Sequence, residues 1–402
     1  RVYLCTYPKC YERYGPHSMR VLQFGRFWNE QHGGVERHAH LLCKGLAAQG
    51  VDVVNLVASR DLRGLDDSVD GFRLVQAPSF GMAFRTSMSP ALVASARRLH
   101  REQPFDLFHL HFPDPLTHFA SLCLPADVPR VITWHSDIVS QKYLLRLYRP
   151  ALQREARKAA ALVAATPAHF ETSPLIPPDI PAARRHVIPY GLDYQPLKLT
   201  PRTEALRTNL VAQATGRGLI FALGRHVSYK GFDVLIDAMQ HTQAVLMLGG
   251  DGPLKASLMQ QAARLGLSDR VHFCGRIAEQ DLGAYFHACD LFCLPSVTAM
   301  EAFGLVQLEA MSCGKPVVCT QLCNGVNRVN ISGKTGVAVP VGDAVALGKT
   351  LDALLKDEIL RAEYGANALA HARDPYSVEA MSASHVQLYQ QLLLADQGRQ
   401  RR

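Results

Sequence analysis

The segment 290-DLFCLPSVTAMEAFGLVQLEAMSCGKPVVCT-320 holds a strand, a loop, a helix and a second strand. The run 290-DLFCLP-295 has the length and apolar content of a buried strand, and 316-PVVCT-320 has the same character. The loop between them carries Glu301. A short helix follows Gly304 and carries Glu309, and Gly314 and Pro316 close it. The same grammar extends outward. Strands are expected at 218-GLIFALG-224, 244-AVLMLGG-250 and 270-RVHFCG-275, and helices at 231-GFDVLIDAMQ-240, 253-PLKASLMQQAARLG-266 and 279-EQDLGAYFHAC-289. The first half repeats it. Apolar runs 51-VDVVNLVA-58, 105-FDLFHLHF-112, 130-RVITWH-135 and 160-AALVAATP-167 alternate with helical segments such as 35-VERHAHLLCKGLAAQG-50, where Val35, Leu41, Leu42 and Leu46 share a face. Alternating strands and helices imply a parallel sheet covered on both faces. The fold class is therefore α/β, with two doubly wound parallel-sheet domains.

The segment 189-PYGLDYQPLKLTPRTEALR-207 has prolines and polar residues and no strand pattern. It places the boundary, giving domains over 19–195 and 196–376. A C-terminal helical segment, 377–402, is free to pack back on the N-terminal domain, and 1–18 is an extension without the apolar core of a secretory signal. Two such domains facing a central cleft would bind ligands beyond the carboxyl ends of their strands.

Composition narrows the function. The chain has 402 residues, 48% of them hydrophobic, which excludes a disordered chain or a coiled coil. Its 43 basic against 35 acidic residues give +8, which favours an acidic or phosphate-bearing partner. No nucleic-acid-binding signature accompanies the charge, so no nucleic-acid partner is expected. The ten cysteines include no C-x-x-C pair and are expected to be reduced, mostly buried thiols. No apolar run is long enough to span a membrane.

Three constellations carry chemistry. In 295-PSVTAMEAFGLVQLEAMSCGKPVV-318, the amides of Phe303, Gly304 and Leu305 would open the helix N-terminus, a ready diphosphate site. Glu301 and Glu309 can accept hydrogen bonds from sugar and ribose hydroxyls. Spacing alone fits an ordinary helix with two surface glutamates equally well. In 223-LGRHVSYKGFDVLIDA-238, Arg225 follows a strand and Lys230 precedes a helix, two cations suited to a pyrophosphate leaving group. Taken alone, solvated surface charge explains them better. In 32-HGGVERHAHLL-42, Gly33 and Gly34 lie between the first strand and helix, where a ligand could approach the backbone, but G-x-G-x-x-G is absent. A simple tight turn fits as well.

Together these segments resemble the retaining GT-B glycosyltransferases, specifically glycosyltransferase family 4, from about residue 20 to 395. The most specific part is Glu301-x7-Glu309 within EAFGLVQLEAM, followed by Gly-Lys-Pro-Val-Val. The run 187-VIPYGLD-193 is similar to the family's signature at the end of its first domain. The segments 109-HLHFPDP-115 and 131-VITWHSDIVSQK-142 resemble a bacterial branch that builds O-antigen and exopolysaccharide on lipid precursors. One local departure is Met300, where small polar residues are common.

The resemblance implies Rossmann-like domains and assigns roles by position. Arg225 and Lys230 hold the donor diphosphate, and Glu309 the nucleotide ribose. Glu301 binds the hydroxyls of the transferred sugar, helped by the amides of Phe303, Gly304 and Leu305. Arg276 and Ile277 wrap the base, Gly33 and Gly34 face the reacting centre, and His135 lies near the donor sugar and acceptor. The donor is a nucleotide-sugar, GDP-mannose or GDP-rhamnose, and no further cofactor or metal is required. The acceptor is a lipid-linked saccharide, which places the enzyme in the cytoplasm, peripheral on the inner face of the cytoplasmic membrane. A UDP-sugar donor and a non-catalytic nucleotide-sugar-binding subunit are the alternatives. No D-x-D is placed to hold a metal, Asp66, Asp67 and Asp70 falling in a polar loop. His109 and His111 form H-x-H at a strand end and could ligate a metal; the favoured expectation is that they edge the cleft and contact the acceptor, whereas His38 and His40 are ordinary surface or packing residues. The basic segment 142-KYLLRLYRPALQREARK-158 either meets an anionic membrane or is a solvated helix broken at Pro150.

Overall fold

The computed structural model describes residues 19–28, 34–83, 86–135, 142–373 and 375–400. Residues 1–18, Gly33 and the stretch 136–141 of the VITWHSDIVSQK segment lie outside them. The chain divides into two compact units, one of residues up to Ile132 with those from His385 onward, the other Thr133–Ser384.

Strands β1 (Arg20–Phe27), β2 (Asp52–Ala58), β3 (Leu65–Val69) and β4 (Phe72–Ala77) are followed by the short pair β5 (Met82–Ala83) and β6 (Thr86–Ser87). Then come β7 (Leu107–Phe112), β8 (Arg130–Trp134), β9 (Ala161–Ala164) and β10 (Arg185–Val187). All of these except β5 and β6, which pair with each other, form an eight-stranded sheet in the order β10-β9-β8-β7-β1-β2-β4-β3. Central β1 pairs in parallel with both β2 and β7, Val21 standing opposite Val53 and Leu107. Every residue of β7 is buried, as expected of a strand covered on both faces.

β3 corrects the sequence reading. Asp66 and Asp67 lie not in a loop but on this strand, antiparallel to β4, and Asp70 sits in the turn between the two with φ 48°. The strand is almost wholly exposed, so it has no apolar pattern to betray it. It is held by backbone pairing and by Arg73, whose guanidinium donates to both Asp66 oxygens at 2.8 Å.

The second sheet comprises β11 (Leu219–Leu223), β12 (Val245–Gly249), β13 (Val271–Gly275), β14 (Leu291–Leu294), β15 (Val317–Thr320) and β16 (Gly336–Val339). All pairs are parallel, in the order β13-β12-β11-β14-β15-β16. Side-chain alternation feeds two cores. Phe221 joins Phe286 and Phe292 on one face, and Ile220 and Ala222 join Phe232, Leu235 and Leu347 on the other. The winding reverses between β11 and β14, the switch point where loops diverge and leave room for a ligand.

The eight described cysteines are free thiols. Cys289, Cys293 and Cys319 are buried, and burial pushes the Cys289 thiol up to about 12. They act as small apolar side chains, as the sequence implied.

Candidate functional site

The loops at the carboxyl ends of β11 to β14 bring the second unit's candidate residues together. Arg225 leaves β11 exposed, with no side-chain hydrogen bond or ion pair among the described residues. Its neighbour His226 is buried, and its amide donates to the Asp251 carbonyl at 2.9 Å. The amide of Gly250 donates to the Gly275 carbonyl at 2.7 Å, so the loops after β11, β12 and β13 are knitted together. Arg276 is exposed just past β13, and Ile277 is half-buried, packing beside Gly249 and against the core that holds Phe221.

Lys230 is carried to this edge by a tight turn. Gly231 has φ 65°, and a Cβ there would collide with the Pro295 carbonyl oxygen, so only glycine lets the two loops meet this closely. The result is an ion pair across 71 residues: Lys230 Nζ lies 2.5 Å from Glu301 Oε2, with both side chains about nine-tenths buried. Ser296 Oγ donates to the same oxygen at 3.0 Å. Oε1 of Glu301 takes no hydrogen bond from the described residues. Asn324 Nδ2 donates to the Glu301 carbonyl at 2.8 Å and fixes the backbone.

The helix Leu305–Ser312 starts from Gly304, whose φ of 73° is left-handed and whose missing side chain leaves room for Leu294 and Gln307. No side chain caps this start, and the amides of Phe303, Gly304 and Leu305 donate to no described residue. Gln307 Nε2 instead ties the Phe303 and Val326 carbonyls at 2.9 and 3.1 Å. Glu309 is buried on this helix. A fixed ammonium, an exposed guanidinium and an uncapped helix start form an anion receptor, while two carboxylates provide acceptors for hydroxyls.

His135 follows β8 and is buried, its Nδ1 2.8 Å from the Tyr190 hydroxyl. Gly34 opens the helix Gly34–Ala48 in the first unit and is exposed there. His109 and His111, expected at a rim, lie within β7, fully or almost fully buried. His109 Nδ1 is 2.5 Å from the Tyr389 hydroxyl, and His111 Nε2 is 2.8 Å from Gln23 Oε1. Burial drives the His111 imidazole down to about 3, with His385 adding to the effect. His38 is buried with its ring 5.6 Å from that of His111, and His40 pairs with Asp70 at 2.9 Å.

The basic segment is one helix, Lys142–Lys158, running through Pro150 rather than breaking there. Pro150 is exposed, where solvent can satisfy the carbonyl it leaves unpaired. Arg146, Arg149 and Arg154 are exposed around Leu147, itself 81% exposed. Among the described residues no helix is long and apolar enough to cross a membrane.

Ser296 and Asn324 escaped the sequence reading, and Tyr190 entered it only within the run 187-VIPYGLD-193. A serine next to a strand-ending proline, and an asparagine preceding a helix, were weak signals. The 249-GGDG-252 run after β12 was a stronger one.

Residues 32–195 match the family described as Glycosyltransferase Family 4, and residues 210–371 match Glycosyl transferases group 1. The chain is 33% identical to the D-rhamnosyltransferase WbpZ of Pseudomonas aeruginosa, over 89% of this chain and 92% of that protein. It is 26% identical to the O-antigen chain mannosyltransferase C of Escherichia coli, over 93% and 99%. Among solved structures it resembles a sucrose-phosphate synthase from Thermosynechococcus elongatus, with a TM-score of 0.76 at 22% identity over 94% of this chain and all of that one. It also resembles Anabaena HepE in complex with UDP-glucose, with a TM-score of 0.72 at 24% identity over 93% and 100%. These two likenesses concern the fold.

Proposed function

Since this chain belongs to glycosyltransferase family 4, we propose that it is a retaining hexosyltransferase moving mannose, or a related 6-deoxyhexose such as rhamnose, from a GDP-sugar to a lipid-linked saccharide in surface polysaccharide synthesis. The observation that carries this reading is the buried Lys230–Glu301 pair beside the uncapped helix start. The names of the two relatives, one a rhamnosyltransferase and one an O-antigen mannosyltransferase, favour the sugar class.

In this mechanism the barrier is loss of the nucleoside diphosphate, whose negative charge grows as the glycosidic bond breaks. Arg225, the remaining N–H groups of Lys230 and the amides of Phe303, Gly304 and Leu305 stabilise that charge. Glu301, held through Oε2, offers Oε1 to a hydroxyl of the transferred sugar. Glu309 accepts from the ribose, and Arg276 and Ile277 flank the base. His135 sits beside the sugar and acceptor. The acceptor attacks the face the leaving group departs from, through an oxocarbenium-like state, so no protein nucleophile is required and no metal takes part. The exposed basic face around Leu147 meets anionic lipid and brings the enzyme to its acceptor at the inner face of the cytoplasmic membrane.

The test is a thermal-shift panel of GDP, UDP and ADP and their sugars, followed by transfer to a polyprenyl-diphosphate saccharide with NMR of the product's anomeric configuration. Stabilisation by GDP and GDP-mannose with a retained configuration supports the reading. Selective stabilisation by UDP-sugars discards the donor. No transfer from any sugar nucleotide leaves a non-catalytic binding subunit.

A further inference from the structure

We propose that Gln307 is a positioning residue for the donor's diphosphate: it turns away from the helix cap it is placed to form, and so keeps the Gly304 amide open for a phosphate oxygen. This rests on the glycosyl-transfer reading. Gln307 is the third residue of the helix Leu305–Ser312, and Gly304 is its N-cap. A glutamine at that position ordinarily reaches back, its side-chain oxygen accepting from the N-cap amide. The distance is no obstacle, since a Cβ on Gly304 would lie 3.1 Å from Gln307 Nε2. Yet the Gly304 amide donates to no described residue, and Gln307 Oε1, fully buried, accepts from none. Gln307 Nε2 donates instead to the Phe303 carbonyl at 2.9 Å and the Val326 carbonyl at 3.1 Å. Carbonyls only accept, so the side-chain amide has one orientation. Turned over, it would set Oε1 against two oxygens.

The consequence follows from peptide geometry. Among the described residues the one cis bond precedes Pro113, so the Phe303–Gly304 bond is trans. In a planar trans peptide the C=O and N–H point in opposite directions. Gln307 draws the Phe303 carbonyl toward the buried side of the loop, which turns the Gly304 N–H the other way. Phe303 and Gly304 are both buried, and an unpaired N–H at a buried residue is rare in a folded protein. The Gly304 amide and Gln307 Oε1 would satisfy each other in a closed cap, and the fold holds them apart. A phosphate oxygen is the acceptor that suits this amide, three residues from the carboxylate that pairs with Lys230. The segment that supplies the Val326 carbonyl also supplies Asn324, whose Nδ2 holds the Glu301 carbonyl at 2.8 Å. Two carbonyls of the loop are thus fixed from one side. Charge for the diphosphate comes from Arg225 and Lys230, and direction from Gln307.

The test reads the Gly304 amide directly. The chain has three Phe-Gly pairs, Phe24-Gly25, Phe80-Gly81 and Phe303-Gly304. Protein carrying 13C-carbonyl phenylalanine and 15N-glycine therefore gives three filtered amide signals, and Phe303→Leu identifies the third by its loss. Inorganic pyrophosphate is titrated first, then GDP and UDP. The expected result is a downfield shift of the Gly304 amide proton in the wild type. Gln307→Glu cannot donate to the two carbonyls, but it can accept from the Gly304 amide and close the cap. It should bind pyrophosphate about tenfold more weakly, the loss of one hydrogen bond to a charged group, and Gln307→Leu should do the same. Guanosine and uridine should bind both variants as they bind the wild type. A Gly304 signal unmoved by all three ligands in the wild type overturns the proposal, whatever the variants do. So does wild-type pyrophosphate affinity in either variant, and so does equal weakening of nucleosides and pyrophosphate, which marks a general loosening of the fold. Absence of transfer from any sugar nucleotide is a separate failure. It removes the enzymatic reading, while a Gly304 signal that moves with pyrophosphate and depends on Gln307 still upholds the positioning role.

Discussion

Replacing Lys230 by methionine keeps the aliphatic stem and deletes the charge, which strands Glu301. Only about a tenth of either side chain reaches solvent, so water cannot take over the lost partner. Breaking one side of a buried pair costs about 3–5 kcal/mol, and the surviving Ser296 bond argues for the lower part of that range. For a domain of this size each kcal/mol moves the melting temperature by about 2–4 °C, so Lys230→Met should melt roughly 6–15 °C below wild type. Adding Glu301→Gln removes the stranded charge while keeping an acceptor for Ser296, and should recover most of the loss. Activity should not follow. The double variant still lacks the cation that meets the leaving group, so kcat stays down by about 10²–10³ in single and double variants alike. Differential scanning calorimetry and donor turnover on the same samples separate the two effects. A single variant that melts with wild type, or a double variant no more stable than the single, would refute the pairing argument. Recovery of kcat in the double variant would refute the leaving-group role.

Arg225→Ala should lower kcat/KM for donor by about 10²-fold with an unchanged melting temperature, because its side chain is exposed and makes no described bond; wild-type kinetics would remove it from the site. EDTA should leave turnover unchanged, and loss of activity restored by a divalent ion would overturn the metal-free mechanism. Asp114 caps the helix Pro115–Leu122, and burial raises its pKa from 3.8 to about 6 against the pull of Arg26 and two amides. The folded state then binds this proton more tightly than the unfolded one, so stability falls as pH rises from near 4 to near 6, by about 3 kcal/mol at most. Asp114→Asn keeps a capping acceptor and should raise the melting temperature at neutral pH but not below about pH 4; equal gains at both would refute the titration. Leu147→Glu should weaken co-sedimentation with anionic vesicles and leave donor binding intact, and undiminished co-sedimentation would clear this helix of membrane contact.

The doubly wound fold was legible because buried parallel strands are continuous apolar runs and their crossover helices are amphipathic. Strand β3 was not, since LDDSV is exposed on nearly every residue and owes its place to backbone pairing with β4. The candidate site was legible one residue at a time. Lys230 and Glu301 were both singled out, but as separate contacts to diphosphate and sugar. That they bind each other depends on Gly231 passing close to Pro295, a tertiary event 71 residues in the making. His109 and His111 misled because polar residues in a strand buried on both faces look, in sequence, like residues at its rim. Pro150 misled because a helix tolerates proline where its lost backbone bond faces solvent.

The Lys230–Glu301 pair also divides the site's response to ionic strength. Its two charges cancel at a distance, so the long-range field that draws a diphosphate comes from the exposed Arg225 and Arg276, which mobile ions can reach. At about 0.1 M salt, screening acts over about 10 Å, enough to blunt that attraction but not a short contact inside a closed pocket. Added salt should therefore slow donor capture while sparing bond cleavage once the donor is seated. The enzyme would grow hungrier for substrate as salt rises without losing its top speed.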